Sequence, residues 1–540
     1  MVDLEAQIAS AETVGDIARL RGADAACKDQ TAFMFGDEVM TFAEFDAGTN
    51  RAAQAMIALG LTKGDRIAYL GKNHHLYFEA FVGASKIGAV MTPVNWRLAP
   101  PEVAYILDNC EAETVIIAEG FGEVLSKIRD KCPRIKTVIG MDEALTAGDG
   151  VIADYREWRD GHEATDPLIP LTRDDEFLQL YTSGTTGRPK GAVMTHLSIL
   201  SARTSGGNTP DIELREWQQP IANDVSLVAM PCFHISGSGN GIANIVSGTN
   251  SIVLPEYDPT RALELMEEYP ISKLFLVPAA IQILLNQPNV KDIDFSNLRY
   301  ITYGASPIPL ELMKEAMEVL GCGFIQMYGM TETSGTITAL DPADHLPEGN
   351  ERMRSVGTAL SGVELKVIDE EGASLPPGTI GEIATRSVKN MKGYWRLDEA
   401  TAETIDDDGW LRTGDAGYLD EDGYLFIRDR VKDMIISGGE NVYPAEVENA
   451  LYAHAQVADV AVIGVPDEKW GEAVKACVVL KDGASLSEAD IIAHAREHIA
   501  GYKCPKSIDF IDALPRNPSG KILRRELRAP YWEGKDKAVN

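Results

Sequence analysis

The sequence predicts an α/β protein: a large N-terminal domain of α/β subdomains, a small β-rich subdomain within it, and a separate α+β unit at the C-terminal end. Three observations carry this. Short apolar runs alternate with helix-periodic stretches through the first two thirds of the chain. From about 360 to 428 the texture changes to short strands and Gly/Pro/Asp turns. The charged segment Arg428-Asp429-Arg430-Val431-Lys432-Asp433 then precedes a new, compact pattern.

Each element has its own signal. Arg66–Leu70 is a buried-strand candidate followed by an amphipathic stretch from about Tyr77 to Val90. Thr114–Ile117, Thr137–Ile139, Phe177–Leu180, Ser226–Met230 and Ser251–Leu254 are further apolar strand runs. Helical periodicity falls between them, as in Arg261–Glu268 and Pro309–Leu320, and this alternation makes a sheet mainly parallel. The turns Asp406-Asp407-Asp408-Gly409 and Asp420-Glu421-Asp422-Gly423 punctuate the β-rich part. Beyond the charged segment, strands Val460–Ile463 and Ala476–Leu480, a helix at Ser487–Ala500 and a strand at Ser507–Ile511 make the last unit. The predicted division is 1–430, with the β-rich subdomain at about 360–428, a hinge at 431–433, and 434–540.

Composition bounds the function. A length of 540 residues implies several folding units, at about 100–200 residues each. A hydrophobic share of 45% and a charged share of 24% are those of an ordinary globular protein. A net charge of −32 argues against nucleic acid as a partner, because phosphate would be repelled over most of the surface. Residues 501–540 depart from this, with nine Lys/Arg against five acids. That tail reads either as a solvated basic end or as an element that meets an anion. Seven scattered cysteines without a C-x-x-C suggest reduced thiols in a cytoplasmic protein. The first residues lack a signal-peptide pattern, and no apolar run reaches the ~18 residues of a membrane span.

Four motifs carry chemistry. Tyr181-Thr182-Ser183-Gly184-Thr185-Thr186-Gly187-Arg188-Pro189-Lys190-Gly191 follows a predicted strand. Its glycines let backbone N–H groups converge, its hydroxyls add donors and Lys190 adds a positive charge, which suits a polyphosphate. It is not a Walker A loop, since no Gly-Lys-Ser/Thr closes it. Gln326-Met327-Tyr328-Gly329-Met330-Thr331-Glu332-Thr333 places an aromatic that could lie on a base and a carboxylate that could hold Mg2+. In Trp410-Leu411-Arg412-Thr413-Gly414-Asp415, a carboxylate after a glycine turn suits ribose hydroxyls, or simply caps a turn. Pro515-Arg516-Asn517-Pro518-Ser519-Gly520-Lys521-Ile522 presents one lysine from a shaped loop, as a site for developing phosphoryl charge would.

In this order the motifs resemble the adenylate-forming superfamily, in its acyl-CoA synthetase branch. Gly304-Ala305-Ser306-Pro307, Pro231-Cys232-Phe233-His234, Ser437-Gly438-Gly439-Glu440 and Gly501-Tyr502-Lys503-Cys504-Pro505-Lys506 add to the resemblance, which spans roughly residues 30–530. It implies an ATP-dependent acid:CoA ligase that forms an acyl-AMP and pyrophosphate, then a thioester with coenzyme A. By position, Thr182–Lys190 resembles the loop cradling the ATP phosphates, with Thr182 and Lys190 among the catalytic residues. Glu332 is similar to the Mg2+ ligand. Gly304–Pro307, Gln326, Tyr328, Gly329, Met330 and Thr331 are similar to the adenine and adenylate contacts. Asp415, Ile427 and Arg430 resemble the ribose side. Lys521 resembles the adenylation lysine, and Lys432 falls at the hinge on which a mobile C-terminal lid pivots. Gly438 and Gly439 resemble the pantetheine tunnel, and Trp470 the CoA nucleotide contact. Homodimers are common in the family.

Phe233, His234, Ser238 and Gly239, with Gly304, Gly329 and Met330, match the family's acyl pocket. The stretch Phe233–Gly241 is rich in small residues: either they leave room for a medium-chain, long-chain or ring-bearing acid, or a tight backbone crossing needs glycine. No Asp stands at Cys232–His234 to pair with a substrate ammonium, so an amino acid is not expected. G-x-S-x-G, G-x-G-x-x-G and H-E-x-x-H patterns are absent, which removes serine-hydrolase, dinucleotide-dehydrogenase and zinc-protease readings. An aryl- or cinnamoyl-type CoA ligase and an acyl-AMP ligase that loads a carrier protein remain as alternatives.

Overall fold

A computed structural model describes residues 4–141, 153–182, 188–201, 213–219, 221, 223–430, 433–437, 440–467, 470–516 and 522–533. Two large sheets dominate. In the first, six strands run parallel, in the order Gly323–Met330, Tyr300–Gly304, Lys273–Leu276, Val225–Val228, Asn250–Val253 and Thr31–Phe35. Antiparallel strands extend both edges: Glu38–Thr41 at one, Gly335–Leu340 and Thr358–Ala359 at the other. In the second sheet, Glu176–Thr182, Val90–Val94, Arg66–Leu70, Thr114–Ile117, Thr137–Gly140 and Ala153–Asp154 run parallel. Lys190–Thr195 and Gly393–Tyr394 add to it antiparallel.

The two sheets share one core. Phe33, Val228 and Val253 from the first belong to the same apolar cluster as Ile67, Tyr69 and Phe177 from the second. Helices fill the layer between them. The stretch expected to be amphipathic, Tyr77–Val90, is instead the helix His75–Lys86, and all twelve of its residues are buried. A helix enclosed on all sides has no polar face to offer water, so its charges need partners within the protein. Arg159 Nη1 reaches both Glu79 carboxylate oxygens, at 2.8 and 3.0 Å, and Tyr155 Oη donates to Oε1 at 3.0 Å. Lys86 donates to Asp46 at 2.6 Å and Asp166 at 3.3 Å.

The β-rich region is an antiparallel sheet of Glu364–Ile368, Gly381–Arg386, Leu411–Leu419 and Leu425–Arg430. The last unit pairs Val457–Asp467 with Gly471–Leu480 antiparallel, and Ser507–Phe510 adds parallel to the latter. The strands Ile435–Ser437 and Glu440–Val442 and the helices Pro444–Tyr452, Glu488–His498 and Arg524–Trp532 belong to it as well, the second helix opened by a Ser487/Asp490 capping box. Four of the nine basic residues of its tail are paired within the protein. Lys503, Arg516, Arg524 and Arg528 pair with Glu446, Asp459, Glu448 and Asp433 at 2.6, 2.6, 2.8 and 2.9 Å. For these four the choice left open above goes to intramolecular pairing. All seven cysteines are unpaired thiols. Among the described residues no helix is long and apolar enough to cross a membrane.

Candidate active site

The motifs at Thr182–Lys190, Gly304–Pro307 and Gln326–Thr333 lie at the ends of parallel strands, where an open α/β sheet presents its crevice, while Asp415 lies in the antiparallel sheet. Thr182 and Lys190 are the last partners of their antiparallel pair, so the Gly-rich loop springs from there. Ser183, Gly184, Thr185, Thr186 and Gly187 lie outside the described residues, as do Lys432, Gly438, Gly439 and Lys521. The Lys190 ammonium stands 4.7 Å from the centre of the Tyr394 ring. The Tyr394 hydroxyl donates to Glu332 Oε1 at 2.8 Å, and the Met391 N–H donates to the Glu332 carbonyl at 2.7 Å.

Glu332 sits on the one-turn helix Thr331–Thr333, between the antiparallel strands Gly323–Met330 and Gly335–Leu340. Ser334, at φ +49°, and Gly335, at φ +101°, reverse the chain behind it. The carboxylate is buried, and its second oxygen accepts no hydrogen bond among the described residues. One carboxylate at the wall of a polar crevice fits Mg2+, which takes few protein ligands and fills its shell with phosphate oxygens and water. Among the described residues no cluster of three or more His, Cys, Asp or Glu could hold a metal ion.

The Tyr328 hydroxyl donates to Asp415 Oδ2 at 2.7 Å, so these two expected nucleoside contacts touch. No turn precedes Asp415: Gly414, at φ +70°, sits inside the strand Leu411–Leu419, where its register with Gly381–Arg386 shifts, and the Asp415 N–H donates to Thr413 Oγ1 at 3.1 Å. Arg430 is the strand partner of Asp415. Ile427 and Tyr328 pack against one apolar cluster, with Val356 and Leu425. Ala305, at φ +67°, turns the chain after Gly304, ahead of Ser306 and Pro307. Trp470, on the last unit, is exposed.

These motifs border a cavity of about 820 Å³. Thr182, Lys190, Thr331 and Glu332 line it, as do Ala305, Gly329 and Met330. The helix Ile235–Ser247 borders the cavity, and His234 and Gly239 are in its lining. Burial, with the Arg97 guanidinium adding to it, pushes the His234 imidazole down to about 4, so it is neutral at pH 7.

Several expected contacts do not line the cavity. Phe233 is buried between Trp96 and His234. Ser238 faces the helix layer, within 2.6 Å of Tyr77 Oη and bonded to the Cys232 carbonyl. Gln326 is buried against Tyr303 Oη at 3.3 Å. Gly304 serves strand approach, since a Cβ there would meet the Met327 carbonyl at 2.2 Å. Conversely, Tyr394, Lys389 and the sheet residues Phe275, Tyr300 and Thr302 line the cavity and carry no motif. Lys389 is 3% exposed and donates to the Thr336 carbonyl.

Comparison with known proteins covers the chain nearly end to end. A family model described as AMP-binding enzyme matches residues 20–395, and one described as AMP-binding enzyme C-terminal domain matches 446–521. The chain is 42% identical over 502 residues to the fatty acid–[acyl-carrier-protein] ligase ScoC of Streptomyces coeruleorubidus, covering 93% of each protein. It is 38% identical to the long-chain-fatty-acid–CoA ligase FadD13 of Mycobacterium tuberculosis, covering 92% of this chain and 94% of that one. Among solved structures, the anthranilate CoA ligase AuaEII in complex with anthranoyl-AMP superposes with a TM-score of 0.85 at 29% identity, over 96% of this chain and 97% of that one.

Proposed function

The chain belongs to the AMP-binding enzyme family, and from that premise we propose that its cavity takes a medium-chain, long-chain or ring-bearing carboxylic acid and joins it to coenzyme A. The reaction is that of an AMP-forming acyl-CoA synthetase. A carboxylate is a poor electrophile until AMP replaces its oxygen as leaving group, and thiol attack on the acyl-AMP then gives the thioester.

One observation supports this reading above the others. The Lys190 ammonium and the Glu332 carboxylate, linked through Tyr394, border the same cavity whose inner wall is a helix of small and apolar residues. That juxtaposes an anion- and cation-handling edge with an acyl-sized interior. Acid and triphosphate repel one another, so their approach needs positive charge and oriented donors at the phosphorus. The loop 182–190 holds the phosphates, and Lys521 bridges carboxylate and α-phosphate. Glu332 would hold Mg2+, which would supply positive charge to the phosphates. Tyr328, Asp415, Ile427 and Arg430 hold the nucleoside. Residues 434–540 act as the lid, pivoting at 431–433, so that Gly438, Gly439 and Trp470 meet CoA after adenylation. The unpaired thiols suit a reducing cytoplasm.

A second reading has its own support, since the relative at 42% identity is a ligase that loads a carrier protein. Both are tested by ATP-dependent pyrophosphate release over acetate, octanoate, palmitate, a cinnamate and a benzoate, with CoA or a phosphopantetheinyl carrier protein as acceptor. Steady turnover with CoA on an acid larger than acetate is the expected result. Turnover pulled only by the carrier selects the second reading, and an absence of pyrophosphate with every acid overturns both.

A further inference from the structure

The interior of the cavity has a length as well as a volume. Ser236, Gly239, Ala243 and Val246 line it at spacings of three and four residues, with Ile235, Asn240, Ile242 and Asn244 beside them, so the helix Ile235–Ser247 borders it for three turns. At about 1.5 Å per residue, the wall from Ile235 to Val246 is about 16 Å long. Across from it, Lys273 and Phe275, Tyr300 and Thr302, and Ile325 and Met327 alternate along three parallel strands, so each pair faces the cavity from one side of the sheet. The strand Tyr300–Gly304 runs about 13 Å toward the nucleotide end, where Ala305 and Gly329 stand.

The far end is closed differently from the walls. There the lining residues are Ser226 and Lys273, at the starting ends of their strands. Lys273 Nζ donates to Asp224 Oδ2 at 2.9 Å and to Thr249 Oγ1 at 3.1 Å. Asp224 is buried, and its other oxygen accepts from Ser272 Oγ at 2.8 Å. The lysine stem therefore reaches along the channel while its charged head is tied to a buried carboxylate.

We propose that this channel selects an unbranched aliphatic acid of about ten to thirteen carbons, and that the Lys273–Asp224 pair is the floor that stops longer ones. The proposal rests on the acid–thiol ligase reading and names that site's substrate class. Tetrahedral C–C bonds of about 1.5 Å advance an extended chain by about 1.25 Å each, so 13–16 Å holds about ten to thirteen carbons. Each methylene buried on the way favours the acid by about fourfold. A longer tail must push Lys273 away from Asp224 and leave a buried carboxylate without its counter-ion, held by Ser272 alone among the described residues, at a loss of about a hundredfold or more. The floor ends the apolar walls, so methylenes beyond it gain no such burial, the loss is not regained and the profile turns over.

The test is kcat/KM for the even-numbered acids from hexanoate to octadecanoate, in the natural enzyme and in the double variant Asp224→Asn/Lys273→Met. The double variant removes both charges together, so no lone buried carboxylate remains. The expected natural profile climbs to decanoate or dodecanoate and falls at least tenfold by hexadecanoate. The double variant shifts the optimum by two or more carbons to longer acids, with the KM for ATP unchanged. Calorimetric affinities of the natural enzyme for alkyl sulfamoyl-adenosines of 8 to 16 carbons give the same profile without any variant having to fold. A natural profile still rising at hexadecanoate, an unmoved optimum in the folded double variant, or preference for an aryl acid overturns the proposal while leaving the ligase reading standing. Failure to form thioester from every acid overturns the ligase reading itself.

Discussion

Tyr394 shows how much one side chain can join. Its ring carries the Lys190 ammonium at 4.7 Å, and its hydroxyl holds one oxygen of Glu332 at 2.8 Å. Fixing Oε1 leaves Oε2 for a cation, and a hydrogen bond to an ionised group is worth about 1.5–3 kcal/mol. Replacing Tyr394 with Phe keeps the ring under Lys190 and removes the tether. The expected result is an approximately tenfold rise in the Mg2+ needed for half-maximal velocity, with the KM for the acid unchanged. Titrating Mg2+ in Tyr394→Phe beside Glu332→Gln checks it: a shift in the second without one in the first would remove the tether from the mechanism. Glu332 and Lys190 were legible in the sequence, because each stands in a short motif built around a glycine turn. Tyr394 and Lys389 were not. Their arrival depends on Gly393–Tyr394 pairing with Ala192 and Val193, some two hundred positions away in the chain, and a lone lysine in a polar stretch reads as solvated.

The helix Ile235–Ser247 holds the corresponding lesson for an element. Three glycines inside it each cost about 0.5–1 kcal/mol relative to alanine, so local propensity argues against a helix there. Tertiary packing overrides it, and the two readings of this Gly-rich stretch divide by face. Toward the protein, a Cβ on Gly237 would meet the Pro231 carbonyl at 2.3 Å, and one on Gly241 would meet Phe78 Cε1 at 2.1 Å. Toward the cavity, a Cβ on Gly239 would meet only Ile235 Cδ1, at 3.3 Å. Gly241→Ala should therefore cost about 1–3 kcal/mol of stability through overpacking and leave the ranking of acids intact. Gly239→Ala should keep stability unchanged or raise it by up to about 1 kcal/mol while raising the KM for the preferred acid. Denaturant unfolding and acid kinetics on both variants decide it, and the reverse pattern would mean that the faces have been assigned wrongly.

Over the whole molecule, the alternation of apolar runs and helical periods disclosed parallel sheets, because that connectivity follows from chain order alone. It did not disclose that two sheets enclose one helical layer, since this depends on which faces meet. The enclosure has a consequence for pH. His75, His196 and His234 lie at or within that layer, and each has a buried ring nitrogen without a hydrogen-bond partner. Burial holds His196 and His234 at about 4, against nearby carboxylates for His196 and helped by Arg97 for His234. Burial, His74 and the arginines 156 and 159 hold His75 at about 2. In the unfolded chain all three titrate near 6.5. Below that pH the unfolded state takes up protons that the folded state refuses, so stability falls as pH falls from about 6.5 toward 4, and His75 carries the slope lower still. Each imidazole contributes up to about 1.4 kcal/mol per pH unit in that window. Glu79, pushed up by burial and held back by Arg159, works in the opposite sense. The ion-paired Asp166, Asp175 and Glu176 have carboxyls held below their ordinary values, so their share is lost from about pH 4 downward. Denaturant midpoints from pH 8 to 4.5 should accordingly be flat above pH 7 and fall steeply below 6.5. His196→Gln keeps an acceptor for the Val14 N–H, now bonded to His196 Nδ1 at 3.4 Å, and should flatten that fall by about one proton's share. An unchanged slope in His196→Gln would mean that this ring is already protonated in the folded enzyme.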